Sequence, residues 1–298
     1  MLRVSYKDAV REFNRDNEPV ASVNPGERFC LETQDALGAM GPSADGGVEE
    51  IGNPVIGNPA TGPIYVNGAK PGGSIIVTVE KIELSPKGVV GLQAGVGLLA
   101  HMARNDDYRI ISVEGDEVVF DNRFRYPIRT MVGTIGTAPG GEPITCMHPG
   151  AHGGNMDNNL IGEGAKLHLP VYVDGALFAA GDVHASMGDG EISIWGLDFP
   201  AVVTFSIELE DKPVIDRPWV ETSRGDWVTT GDDLDARKAM VIACEQMNLL
   251  MQRKLGINFE DAYILQTVIG DLGICQAADP GGFPVTTRFL MPASVVSR

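Results

Sequence analysis

Cysteine is scarce in this chain. Cys30, Cys146, Cys244 and Cys275 are the four among 298 residues, and none stands in a CxxC spacing. That pattern excludes a disulfide framework and a thiolate zinc site, and it predicts buried free thiols. Positive charge is short as well: 23 Lys and Arg face 40 Asp and Glu, a formal net charge of −17. Such a balance opposes binding to nucleic acid or anionic membranes and suits a neutral or cationic small molecule. No apolar run approaches the roughly 18 residues needed to span a bilayer, and residues 1–8 show no signal-peptide hydrophobic region. A cytoplasmic location is expected. Residues 88–104, GVVGLQAGVGLLAHMAR, are rich in glycine but lack the Gly-Lys-Ser/Thr ending of a phosphate loop. His101, on this apolar segment, reads as a packed histidine rather than a ligand.

Glycine and proline, by contrast, are plentiful. The 37 glycines and 19 prolines punctuate short Val- and Ile-rich runs, the pattern of many strands joined by turns. Ser74–Leu84 alternates, with Ile76, Thr78, Glu80 and Ile82 on one side and Ile75, Val77, Val79 and Lys81 on the other, which predicts one strand of a hairpin. YVNGA at 65–69 recurs as YVDGA at 172–176, either a coincidence or a duplicated β-unit whose hairpins face one another. Residues 38–62 carry a repeated IGNP and form a loop long enough to line a pocket, or else a surface excursion. The one strong helical pattern starts after Asp232 or Asp233 as N-cap. It runs through Ala239, Ala243, Met247, Leu250 and Met251, stops at Gly256, and is followed by a second helix capped by Asn258. The expected fold is mainly β with an α+β C-terminal part. A β-sandwich or jelly-roll-like body fills residues 1–210, and residues 211–298, with two C-terminal helices, pack on it, as a second part or within one integrated domain.

Polar chemistry concentrates in residues 148–198. Four of the five histidines lie there, His148, His152, His168 and His184, with Asp157, Asp182, Asp189, Glu191 and Asp198. Asp182 and His184 are an i, i+2 pair, as are Asp189 and Glu191, so extended backbone would present each pair on one face. A carboxylate and an imidazole side by side suit Zn²⁺, and the further carboxylates would admit a second, harder cation. The HGGNMDNN loop around Asn155 and Asp157 can turn sharply and offer oxygens, although Gly/Asn/Asp loops are also ordinary turns. Cys146 and His148 raise a thiol nucleophile as an alternative, but neighbours on one loop seldom form a catalytic pair in space.

The blocks GGN-x-D at Gly153, Gly154, Asn155 and Asp157, LPVYVDGALFAAGDVHA ending at Ala185, and GDGE ending at Glu191 resemble the acetamidase/formamidase family of metal-dependent amide hydrolases. The resemblance extends upstream to GPIYVNGAKPGG and covers essentially the whole chain. It departs at 192–198, ISIWGLD, which places Asp198 where the family carries a glutamate. The resemblance implies hydrolysis of a short linear amide to a carboxylate and ammonia in a homodimer or larger assembly. It implies metal ligation by Asp35, Asp157, Asp182 and His184, with His152 in reserve. Catalytic roles fall to Glu191 as ligand or general base, to Asp182, and to Asn155 as the group orienting the carbonyl. Zn²⁺ is the expected cofactor, with Zn²⁺ or Ca²⁺ as a second ion. A Ser-Ser-Lys amidase signature is absent, and Cys146 lacks the α/β context of a nitrilase. The competing reading is a non-catalytic β-rich binding protein with a structural Ca²⁺, which leaves the imidazole of His184 among carboxylates unexplained.

Overall fold

The computed structural model describes residues 1–43, 45, 47–51, 57–278 and 282–296. The first IGNP falls largely, and Asp279, Pro280 and Gly281 wholly, outside them. Strands dominate, as the turn-rich sequence predicts. One sheet of nine strands places Arg28–Thr33, Ala201–Glu210, Ser74–Leu84 and Lys166–Pro170 side by side. It continues through Trp219–Glu221, Trp227–Asp233 and Val285–Met291 to Asp271–Gln276. A second, larger sheet carries Lys87–Leu92, Leu197–Asp198, Phe178–Ser186, Met131–Gly136 and Gly153–Asn155 as consecutive neighbours.

The two sheets share one core, because inward residues of both alternate into it. Phe29, Val77, Leu167 and Phe205 come from the first sheet, and Ile64, Val132, Ile135, Phe178 and Val183 from the second. Phe178 sits edge-on to Phe205 at 5.5 Å and to Phe29 at 6.2 Å, pinning the layers together at the centre. The echo in sequence is met by contact in space. The Val66 N–H donates to Gly175 O at 2.9 Å and the Gly175 N–H to Ala69 O at 3.0 Å, so YVNGA and YVDGA lie against one another.

Two helices, Ala236–Leu255 and Phe259–Ile269, follow the expected pattern, with Ala239 buried and Ala243, Met247, Leu250 and Met251 buried against Trp219, Trp227, Phe289 and Met291. The first begins later than the sequence suggests. Asp232 and Asp233 finish the preceding strand, Asp232 pairs with Arg217, and Asp235 is the cap, accepting the Arg237 N–H. Gly256 ends that helix at φ 67° and Asn258 caps the next. His101 also differs from expectation: it is exposed, because residues 93–103 form turns on the surface beside the Lys87–Leu92 strand instead of an apolar core segment. All four cysteines are free, and Cys30, Cys146 and Cys275 are buried. Among the described residues no helix is long and apolar enough to cross a membrane.

Candidate metal centre and active cavity

Four adjacent strands of the larger sheet bring the polar groups together. Met131–Gly136 pairs antiparallel with Phe178–Ser186, with Val132 opposite Val183 and Thr134 opposite Gly181. On one flank Thr134 faces Asn155, and on the other His184 faces Asp198. Asp182 therefore stands opposite Gly133, at φ 56°, and its carboxylate turns onto the same side as His184. The i, i+2 reading of Asp182 and His184 holds, but through a left-handed residue rather than a regular pleat. The other pair separates. Asp189 reaches outward to Arg288 at 2.6 Å and Asn159 at 2.8 Å, while Glu191, at φ 42° in a turn, is buried inside.

Two carboxylate groups meet at one imidazole. Asp182, His184 and Asp198 form one cluster, and Asp157, His184 and Glu191 the other, each with ligand atoms within 4.8 Å of one another. His184 Nε2 lies 3.0 Å from Asp198 Oδ1 and 3.3 Å from Asp182 Oδ1. The backbone is drawn in tightly around these groups. A Cβ on Gly133 would stand 2.5 Å from Asp157 Oδ1 and 2.7 Å from Asp182 Oδ2, and one on Gly196 would stand 2.4 Å from His184 Nδ1. Asp157 adds a further left-handed residue, at φ 44°. Non-glycine residues adopt such backbone at a cost of order 1–3 kcal/mol each, and they gather where function fixes them.

The electrostatics show what this arrangement lacks. Burial, then the charges of Glu191 and Asp182, holds Asp157 well above the usual carboxylate range. Burial likewise pushes Glu191 and Asp198 up to about 8, against the lowering influence of His184. For His184 burial works downward, but Asp182 and Asp198 outweigh it and keep the imidazole well above its ordinary value. Among the described residues no Lys or Arg pairs with Asp157, Asp182, Glu191 or Asp198. Asp157 Oδ1, His184 Nδ1 and Asp198 Oδ2 complete no hydrogen bond there. Four buried carboxylates around one imidazole, with orphaned oxygens and no room left by Gly133 or Gly196, fit a divalent cation.

Above the clusters is a cavity of about 100 Å³, reached by Asp182, Glu191, Asp198 and Asn155 and walled by Met147, Ile194, Trp195 and Phe283. That is well below the roughly 300 Å³ at which drug-sized ligand pockets begin, so it suits a molecule of a few heavy atoms. Asn155 is oriented by two donors, Thr134 Oγ1 at 2.6 Å and Asn58 Nδ2 at 3.1 Å, which both donate to its Oδ1. Its NH₂ end is the end left for a ligand. Asn58 Nδ2 also donates to Asp182 Oδ2 at 2.9 Å, tying the second IGNP to the centre.

Of the residues picked out in the sequence, Asp157, Asp182, His184 and Glu191 converge, and Asn155 lines the cavity beside them. Asp35 lies outside both clusters: its carboxylate accepts the backbone N–H groups of Ala39 and Met40. His152 is also outside them, edge-on to Phe13 at 5.0 Å, with burial lowering its pKa to about 4. Cys146 is fully buried and burial pushes its thiol up to about 12, away from the thiolate a nucleophile needs. Asp198, Asn58 and Thr134 join the site beyond the residues that the sequence marks as ligands or catalytic groups. Asp198 was signalled by keeping a carboxylate where the ISIWGLD segment departs, and Asn58 by the repeated IGNP. Nothing local marks Thr134, whose role comes from the pairing of its strand with Asn155.

Residues 5–146 and 142–270 match the Acetamidase/Formamidase family. An acetamidase of Bacillus halodurans is 33% identical and superposes with a TM-score of 0.89 over 98% of both chains. A predicted acetamidase/formamidase from Thermoanaerobacter tengcongensis is 34% identical, with a TM-score of 0.90 over 99% of this chain and 97% of that one. A Schizosaccharomyces pombe protein, whose formamidase designation is itself inferred, is 27% identical over 237 residues. That match takes in 59% of this chain and 57% of its relative, so the chain spans little more than half the length of that curated protein. With the family match running through both carboxylate clusters and the whole-chain likeness at about one third identity, this chain belongs to the acetamidase/formamidase family.

Proposed function

We propose that this protein hydrolyses short linear amides, of the formamide and acetamide type, to a carboxylate and ammonia, using a divalent cation held by His184 and the carboxylates around it. The observation that carries this reading is the pair of buried clusters sharing His184 at the floor of a cavity of about 100 Å³. An imidazole among oxygens favours Zn²⁺ as that cation over a purely oxygen-seeking Ca²⁺. A second ion, Zn²⁺ or Ca²⁺, would require Asp182 and Asp198 to serve one site and Asp157 and Glu191 the other.

An unactivated amide needs its carbonyl polarised, a nucleophile near neutral pH and a proton for the departing nitrogen. A divalent cation, when bound by His184 and these carboxylates, would supply Lewis acidity and lower the pKa of a water toward about 7. The chain does the rest. The Asn155 Nδ2 group donates to the substrate carbonyl oxygen, aligned by the two hydrogen bonds that fix its other end. Glu191, in a cluster and on the cavity wall at once, takes a proton from the attacking water at its carboxylate. It then delivers that proton to the amide nitrogen as the C–N bond breaks. Asp182 and Asp198 hold His184 between them, and Met147, Trp195 and Phe283 keep bulk water out.

Elemental analysis of the desalted protein, with ammonia release from formamide and acetamide measured on the same sample, tests this directly. Near-stoichiometric zinc is expected, with turnover abolished by a chelator and restored by Zn²⁺. Calcium alone without turnover would overturn the proposal in favour of a binding protein. Turnover that survives complete metal removal would overturn the metal's part in it. A further expected result concerns Asn58. Asn58→Ala removes one donor to Asn155 and one to Asp182, and should lower kcat/KM by about 10²-fold, the scale of one lost oxyanion donor. Metal content should stay close to that of the parent, and a variant with unchanged kcat/KM would show that Asn155 needs no such support.

A further inference from the structure

Trp195 belongs to the segment that departs from the family pattern, and it borders two cavities. The active cavity of about 100 Å³ and a second, more open one of about 330 Å³ share two lining residues, Glu191 and Trp195. The second cavity continues past Tyr126, Ser186, Met187 and Leu197. Glu191 and Trp195 therefore stand between the two cavities.

The indole is braced from outside the metal centre. Its ring stands edge-on to Tyr108 at 5.7 Å, with an interplanar angle of 90°. Tyr108 in turn packs over Gly91, where a Cβ would lie 2.6 Å from the phenol ring and 3.4 Å from the indole. The turn that delivers Trp195 is tied down at both ends. The Ile194 N–H donates to Glu191 O at 3.0 Å, the Leu98 N–H to Ile192 O at 2.9 Å, and Ser193 Oγ to Gly91 O at 3.4 Å. Ile194 adopts φ 73° in the same turn, a conformation β-branched residues avoid. The glycine-rich segment with no phosphate-loop ending thus has a place: it supports this wall. The indole N–H is buried and has no acceptor among the described residues. Neither cavity has a Lys or Arg in its lining to hold an anionic acyl group, and beyond Asp189 and Glu191 the second cavity offers Val90, Met187, Ile192 and Leu197 as apolar surface for an acyl chain.

We infer that Trp195 limits the size of the acyl group by closing the active cavity off from the larger one, and that its removal admits amides with bulky apolar acyl groups. This rests on the proposed amide hydrolysis, and the test separates the two. Acetamide and benzamide are titrated calorimetrically into the zinc-loaded wild type, Trp195→Ala and Trp195→Phe, and ammonia release from both amides is followed on the same preparations.

Trp195→Ala is expected to bind benzamide at least about 10-fold more tightly relative to acetamide, and to gain about 10- to 100-fold in the ratio of kcat/KM values, the range open to an apolar pocket. Trp195→Phe keeps a ring in the wall while losing the N–H, and should keep the parent's preference within a few-fold. Benzamide bound by the wild type as well as by Trp195→Ala would overturn the inference. So would a Trp195→Ala protein with parental zinc content and no benzamide binding. If binding follows the expected pattern but no preparation releases ammonia, the partition stands and amide hydrolysis falls.

Discussion

Replacement of His184 by Ala is expected to lower amide turnover by roughly 10³-fold or more, the loss that follows when several kcal/mol of charge stabilisation disappear. Bound zinc should fall to a small fraction of the parent's on the same sample. The reason is topological. His184 is the one residue common to both carboxylate clusters, so its loss removes the imidazole from each. Asp157→Asn, which touches one cluster alone, should also lose most activity and metal. The fold should survive both changes. A buried pair broken at one end costs about 3–5 kcal/mol when the surviving charge is stranded. In the metal-free variant Asp198, already pushed up to about 8, can hold a proton instead, so the cost should lie at or below the low end of that range. Circular dichroism and thermal melts check the fold, and elemental analysis checks the metal. A folded His184→Ala protein with full zinc and full turnover would remove this residue from the centre.

The sequence makes one part of this site visible and hides another for a physical reason. Asp157, Asp182, His184 and Glu191 could be named in advance because they lie within motif blocks and within one stretch of the chain. The strand period explains part of that. It brings Asp182 and His184 together, but it fails for Asp189 and Glu191, which lie in a turn where Glu191 adopts φ 42°. Left-handed backbone at an Asp or Glu leaves no signature in composition. Asn58 and Thr134 act on Asn155 from 97 and 21 residues away, and only the strand register reveals such contacts. Asp35 and His152 teach the converse. An acidic side chain in the right block can serve the backbone instead, as Asp35 does for Ala39 and Met40, and an imidazole can pack on a ring, as His152 does edge-on to Phe13. The mainly β fold and both helices were legible because alternation, turns and caps are local. The start of the first helix was not, since Asp232, Asp233 and Asp235 are all plausible caps and the sheet claims the first two.

Gly133→Ala is expected to be nearly as damaging to activity as loss of His184, although no polar group is removed. An added methyl would stand 2.5 Å from Asp157 Oδ1, 2.7 Å from Asp182 Oδ2 and 2.9 Å from the backbone oxygen of Asp182. The two carboxylate ends can swing away, while the Asp182 backbone oxygen must shift slightly, so the overpacking should cost about 1–3 kcal/mol of stability and leave a folded protein. Their movement is the point. Asp157 and Asp182 belong to different clusters around His184, and one methyl pushes a member of each out of reach. Zinc occupancy should fall by more than half, and kcat/KM by about 10²- to 10³-fold, in proportion to the charge stabilisation lost. Gly188→Ala supplies the comparison. It lies two residues beyond the strand that carries Asp182 and His184, and its added Cβ would meet nothing within 4 Å. Its stability should stay within about 0.5 kcal/mol of the parent, with zinc content unchanged. Full zinc and full turnover in Gly133→Ala would mean that the two carboxylates work without being held where the bare backbone at 133 allows them to meet.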